Sequence, residues 1–169
     1  MSFSSFVLFS NAQHAITKEW LESVVPPRTS VRAIPLPNCF MLNDADDRSA
    51  ISIQTLDEGR RKIAIASLRE LVRRPSKELL RDLRERPLIV EVEIVRGGQT
   101  PNHPIVRPIV EALNAIVELD SELYDSDLVG LSSTFPLRKS GAPPYDPASV
   151  IDFRTFAFND FFWVGKLDV

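Results

Sequence analysis

The stretch Leu88–Val95 constrains this chain more than any other, because its side chains alternate. Leu88, Val90, Val92 and Ile94 fall on one face of an extended strand, and Ile89, Glu91, Glu93 and Val95 fall on the other. Two carboxylates on one face would not be tolerated unpaired in a core. The strand is therefore half-buried, and an antiparallel or mixed sheet with one wet face suits it better than a sheet covered on both sides. Gly97-Gly98 ends it, since consecutive glycines permit positive φ and weaken pairing.

The next segment reads as a helix laid back over that strand. Asn102-His103-Pro104 offers a polar start, and Pro108 fits only a first turn, which places the regular helix from about Val106. From there Ile109, Val110, Leu113, Ile116 and Val117 repeat at helical spacing and should cover the sheet.

The remaining chain supplies more of the same units. Phe3–Ser10 is a first strand with Phe3, Val7 and Phe9 on one side and Phe6 and Leu8 on the other. Thr17 caps a short helix with the apolar stripe Trp20, Leu21, Val24 and Val25, closed by Pro26-Pro27. Val31–Leu36 is a proline-interrupted strand suited to an edge or a bulge, Cys39–Leu42 continues extended, and Ala50–Leu56 is a strand with Ile51 and Ile53 inward. The stretch Asp57–Arg86 is helical, cut at Pro75 and restarted by Ser76 as a cap. Its first half is lined by Ile65, Leu68, Leu71 and Val72, its second by Leu79, Leu80 and Leu83. Tyr124–Asp127 reads as a turn before a strand at Leu128–Ser132, and Pro136–Pro147 as a proline-rich loop. The aromatic tail from Val150 to Val164 suggests a hairpin turning at Asn159-Asp160.

Strands and helices in this order predict one α+β domain over residues 1–169. The expected form is a two-layer sandwich: a mixed or antiparallel sheet with helices packed on one face, ferredoxin-like or related, with a C-terminal aromatic hairpin. A length of 169 residues with 44% hydrophobic content is enough for one substantial core. Cys39 is the only cysteine, which leaves no intrachain disulfide framework and no paired-cysteine metal knuckle, and fits a reducing compartment. No apolar run approaches the roughly 18–20 residues that cross a bilayer, and the start of the chain lacks the basic region of a signal peptide. A cytoplasmic protein without membrane contact is expected.

Several chemistries can be weighed on this pattern. Neither His14 nor His103 has zinc-type spacing, and Cys39 has no activating motif beside it. The acidic turn Asn43–Arg48 lacks the glycine and glutamate of a calcium loop, so a solvated turn is expected. No cofactor, metal site or catalytic residue is assigned. Asp57–Arg86 holds ten Lys or Arg against six Asp or Glu, whereas Glu111–Asp127 holds six acidic residues and no basic one. A net charge of −3 removes the general electrostatic case for nucleic acid, and the basic segment (Arg60, Arg61, Lys62, Arg69, Arg73, Arg74) lacks stacking aromatics.

The reading these features support is a non-enzymatic binding protein that meets a protein partner through an acidic face at Asp120, Glu122, Asp125 and Asp127, which suits a basic partner. A bacterial immunity or antitoxin-type protein is one concrete form. The acidic group is expected near a helix C-terminus, where it opposes the dipole. The alternative is an enzyme or small-molecule binder with a cleft near Glu91, Glu93, His103 and Arg138, where carboxylates about 7 Å apart could do acid–base work. A homodimer or other homo-oligomeric structural component built on the Phe/Trp tail is the third reading.

Overall fold

In the computed structural model, residues 4–71, 75–97, 103–119, 122–125 and 150–151 are described. They begin with strand β1 (Ser4–Ser10), helix α1 (Lys18–Val24), β2 (Ser30–Ala33), β3 (Cys39–Asn43) and β4 (Ala50–Thr55). Helix α2 (Glu58–Ser67) comes next, runs through a single 3₁₀ turn at Leu68–Glu70, and leads to α3 (Lys77–Glu85). Then come β5 (Leu88–Arg96), α4 (Val106–Ala112), β6 (Ile116–Leu119), β7 (Glu122–Asp125) and β8 (Val150–Ile151). No helix among the described residues is long and apolar enough to cross a membrane.

The strands form one sheet in the order β2-β3-β4-β5-β1-β6-β7-β8. Pairing is antiparallel from β2 to β7, and β8 joins β7 in parallel. The class is α+β, as the alternation of Leu88–Val95 implies. β5 and β6 both run antiparallel to β1, which lies between them, so β5–α4–β6 is a split βαβ unit. No second such unit forms around α1, because β2 pairs with β3 at the far edge of the sheet.

The expectation that all helices pack on one face is corrected by the core. On the inner face Phe6, Leu8, Leu42, Ile51, Ile53, Val90, Val92 and Val117 are buried under Leu21 of α1 and Val106, Ile109 and Val110 of α4. On the opposite face Phe9, Ile89, Ile116 and Leu123 are buried under Leu68, Leu71, Leu79 and Leu83 of the α2–α3 segment. The reason lies in antiparallel register: it sets Ile89, at the start of β5, opposite Phe9, near the end of β1, and Phe9 opposite Ile116. Three apolar side chains thus gather at one end of a face whose other end carries Glu91 and Glu93. Helix covers the first end only.

Local capping fixes the helices where the sequence places them. Thr17, Asp57 and Ser76 each accept a hydrogen bond from the backbone N–H three residues on, at Trp20, Arg60 and Leu79. α4 starts at Val106 with Pro108 in its first turn, but it stops at Ala112, so Ile116 and Val117 belong to β6. Asn114 adopts φ 45°. Its N–H donates to the Glu111 carbonyl at 3.1 Å, and Ala115 N–H reaches back to the Val110 carbonyl at 3.2 Å. That is a Schellman closure with asparagine in the left-handed position. The β-branched pair after it then extends into the sheet.

Two further expectations change. Tyr124 and Asp125 lie in β7, paired with Val117 and Ile116, and not in a turn. The acidic segment therefore comes after a strand, not a helix C-terminus. Of Val72 and the expected Leu128–Ser132 strand, Pro136–Pro147 loop and aromatic hairpin, only Val150 and Ile151 of the tail's start fall within the described residues, in β8.

Candidate functional site

The half of the outer sheet face that α2 and α3 leave uncovered is built from outward-pointing positions of five strands. Register aligns them in two rows across the sheet. One row runs Val7, Glu91, Gln54, Cys39 on β1, β5, β4 and β3. The next runs Ser5, Glu93, Ser52, Met41 and continues to Arg32 on the edge strand β2. Neighbouring strands stand about 4.8 Å apart, so each residue is in reach of the next. The alternation that buries Val90 and Val92 is what turns these polar side chains outward.

Helix α2 borders this surface through Arg60. Its guanidinium bridges Gln54 Oε1 and Glu91 Oε2, while Ser5 Oγ donates to Glu91 Oε1 at 3.3 Å. Both Glu91 oxygens are thereby occupied. Glu93, half-buried between Ser5 and Ser52, has no hydrogen bond or ion pair with any described residue. Arg61, next to Arg60, donates to the carbonyls of Pro87 at 2.7 Å and Arg86 at 2.6 Å, at the C-terminal end of α3. In these two positions the basic segment ties α2 to the sheet through Arg60 and to the end of α3 through Arg61.

The surface is concave. One cavity of about 210 Å³ is lined by Val7, Leu56, Arg60, Ile63, Ala64 and Glu91. A second, of about 290 Å³, shares Arg60 and Glu91 and adds Ser5, Ser52, Gln54, Glu93, Cys39 and Leu36. Ile63 is 72% exposed and Leu36 55%, and these are the exposed large hydrophobics among the described residues. One stands at each cavity.

Cys39, at the floor of the second cavity, is 3% exposed, and its Sγ meets Ser52 Oγ at 3.5 Å. No histidine lines either cavity. The thiol sits as a small packed residue.

His103 is not part of this cleft. It is buried near the start of β4, where Ile105 N–H donates to Nδ1 at 3.2 Å and Nε2 lies 3.1 Å from Ser49 Oγ. A backbone N–H can only donate, so the ring proton sits on Nε2 and is given to the serine. The alternative grouping of Glu91, Glu93 and His103 is thus divided: the two glutamates share a cavity and the histidine lies elsewhere. Arg138, Asp120 and Asp127 lie outside the described residues, and Glu122 and Asp125 occupy register positions opposite Leu119 and Ile116.

The acidic turn is spent on its own backbone. Asp44 Oδ1 accepts from Arg48 N–H at 2.7 Å and Ser49 N–H at 3.0 Å. These bonds, the one from Ser49 foremost, hold its carboxyl below the ordinary 3.8, against partial desolvation acting the other way. Asp47 pairs with Arg96 at 2.8 Å. Among the described residues no group of three or more His, Cys, Asp or Glu is placed to hold a metal ion.

Sequence reasoning found Glu91 and Glu93 but missed Arg60, Gln54, Ser5, Ser52 and Leu36 as their company. Parity along each strand marks Ser5, Ser52 and Gln54 as outward. Which strands lie side by side is not written in that parity. Comparison of the chain with protein-family models, with curated proteins and with solved structures finds no match.

Proposed function

We propose that this chain is a non-enzymatic binding protein that engages a protein partner on the uncovered half of its outer sheet face, in a role of the immunity or antitoxin type. The observation that carries the reading is the paired cavity around Glu91 and Arg60, flanked by the exposed side chains of Leu36 and Ile63. Exposed large apolar groups beside a polar depression are what a docking surface needs: area to desolvate, and polar groups to set the register. Acid–base catalysis is the weaker reading, because both oxygens of Glu91 are already committed to Arg60 and Ser5. The acidic segment around Glu122 and Asp125 would add long-range steering toward a basic partner. The lone free cysteine agrees with a reducing, cytoplasmic setting.

The test is partner capture with a blocked groove. Immobilised wild-type protein, the variant Ser52→Arg and the control Ala112→Arg, which alters an exposed position of α4, are incubated with native lysate. A protein retained by wild type and control but lost with Ser52→Arg supports the reading. Retention by all three, or specific retention by none, overturns it.

A further inference from the structure

We infer that the groove receives a basic side chain of the partner, with Glu93 as the acceptor of its guanidinium or ammonium group. This rests on the proposed docking role of the groove and names what that surface selects. The charge lining the second cavity is uneven: two carboxylates, Glu91 and Glu93, face one guanidinium, Arg60. Arg60 bonds Glu91 and Gln54, so the charges of Arg60 and Glu91 offset each other. The negative charge that remains belongs to Glu93, which no described residue pairs.

The setting of Glu93 suits a cation. Ser5 and Ser52 stand directly opposite it on the two neighbouring strands, so two hydroxyls flank the carboxylate. A planar guanidinium can bond both carboxylate oxygens while the hydroxyl oxygens accept its remaining N–H groups. Half-burial strengthens that pairing relative to one in open water.

The flanks specify the neighbours of that side chain. Ile63 stands at the first cavity and Leu36 at the second, with the Arg60–Glu91 pair shared between them. The occupant is therefore a segment of a protein partner in which a basic residue lies among apolar ones. Its apolar side chains cover Leu36 and Ile63, and its cation sits on Glu93. A polyanion such as nucleic acid meets the wrong sign of charge in the same cavity.

The experiment titrates the full-length ¹⁵N-labelled protein with three capped tripeptides: leucine-arginine-leucine, the same peptide with uncharged citrulline at the centre, and the same with glutamate. The expected result is that the arginine peptide shifts the amide signals of Ser5, Ser52 and Glu93. Its apparent Kd should weaken at least tenfold with citrulline, and at least tenfold with Glu93→Gln, whose spectrum must otherwise retain its dispersion. A second variant, Ser52→Ala, should weaken it less. Equal binding of arginine and citrulline peptides, shifts confined to another surface, or no binding by any peptide overturns the inference. The groove reading itself is decided separately by the Ser52→Arg capture experiment, so failure of one is not failure of the other.

Discussion

Arg60 on α2 closes over Glu91 on β5, joining two residues far apart in sequence, and it takes the Gln54 side chain of β4 in the same grip. A helix is thereby anchored to the sheet at the point where its apolar cover ends. The pair separates two regions of one sheet face: packed leucines on one side, an open polar depression on the other.

Because Arg60 and Glu91 are 44% and 30% exposed, solvent screens much of their attraction. Arg60→Ala should lower stability by no more than about 1 kcal/mol, read from urea midpoints. The same change frees Glu91 and should tighten binding of the arginine tripeptide. Weaker binding by the variant, with its fold intact, would mean that Arg60 shapes the groove more than it neutralises it.

Asn114 closes α4 from the left-handed region at φ 45°. Asn114→Ala should destabilise by about 1 kcal/mol, since a Cβ without a compensating polar group is disfavoured there. Asn114→Gly should be neutral or slightly stabilising. Two equal losses in chemical denaturation would argue that the asparagine side chain, not the backbone angle, is what the site needs.

Gly97 has φ 100°, and a Cβ built there would lie 2.5 Å from Ser49 Oγ and 2.9 Å from Ser49 Cα. Gly97→Ala should cost upwards of about 2 kcal/mol from strain and overlap together. Adding Ser49→Ala removes the hydroxyl clash but not the backbone one, and it takes the acceptor from His103 Nε2, so the double variant should recover at most part of the loss. Full recovery in thermal melts would show that the backbone there yields freely.

Asp44 is depressed in the folded protein by the Ser49 and Arg48 N–H groups, so its ionised form stabilises the fold. That contribution is complete above the ordinary 3.8 and is lost as pH falls through the lower folded-state value. Asp44→Asn should therefore be less stable than wild type at neutral pH, with the gap narrowing as the medium is acidified below 3.8. A gap that stays constant across that range would assign the effect to geometry instead of charge.

The elements themselves were written into local sequence. The parity of Leu88–Ile94 set the buried face of β5, and Thr17 and Ser76 marked the helix starts that the structure has. The errors arose where a pattern served two periods. Ile116 and Val117 continue the helical spacing of Ile109, Val110 and Leu113, yet they also suit a strand. The left-handed turn at Asn114 decided between the two.

The placement of helices on both faces was hidden for a related reason. Glu91 and Glu93 announced a wet face, and Ile89 alone was too little to contradict them. Only pairing with Phe9, itself beside Ile116, made an apolar patch that α3 could cover.

The sequence by itself determined most of the strands, the starts of the capped helices and the parity along each strand, because those choices follow from stereochemistry and periodicity within a few residues. Tertiary structure alone decided that Ser5, Glu93 and Ser52 share one row and that Arg60 neutralises Glu91 but not Glu93. Many strand orders satisfy the same alternation. Packing the whole core selects one of them, and with it the neighbours that give a carboxylate its role.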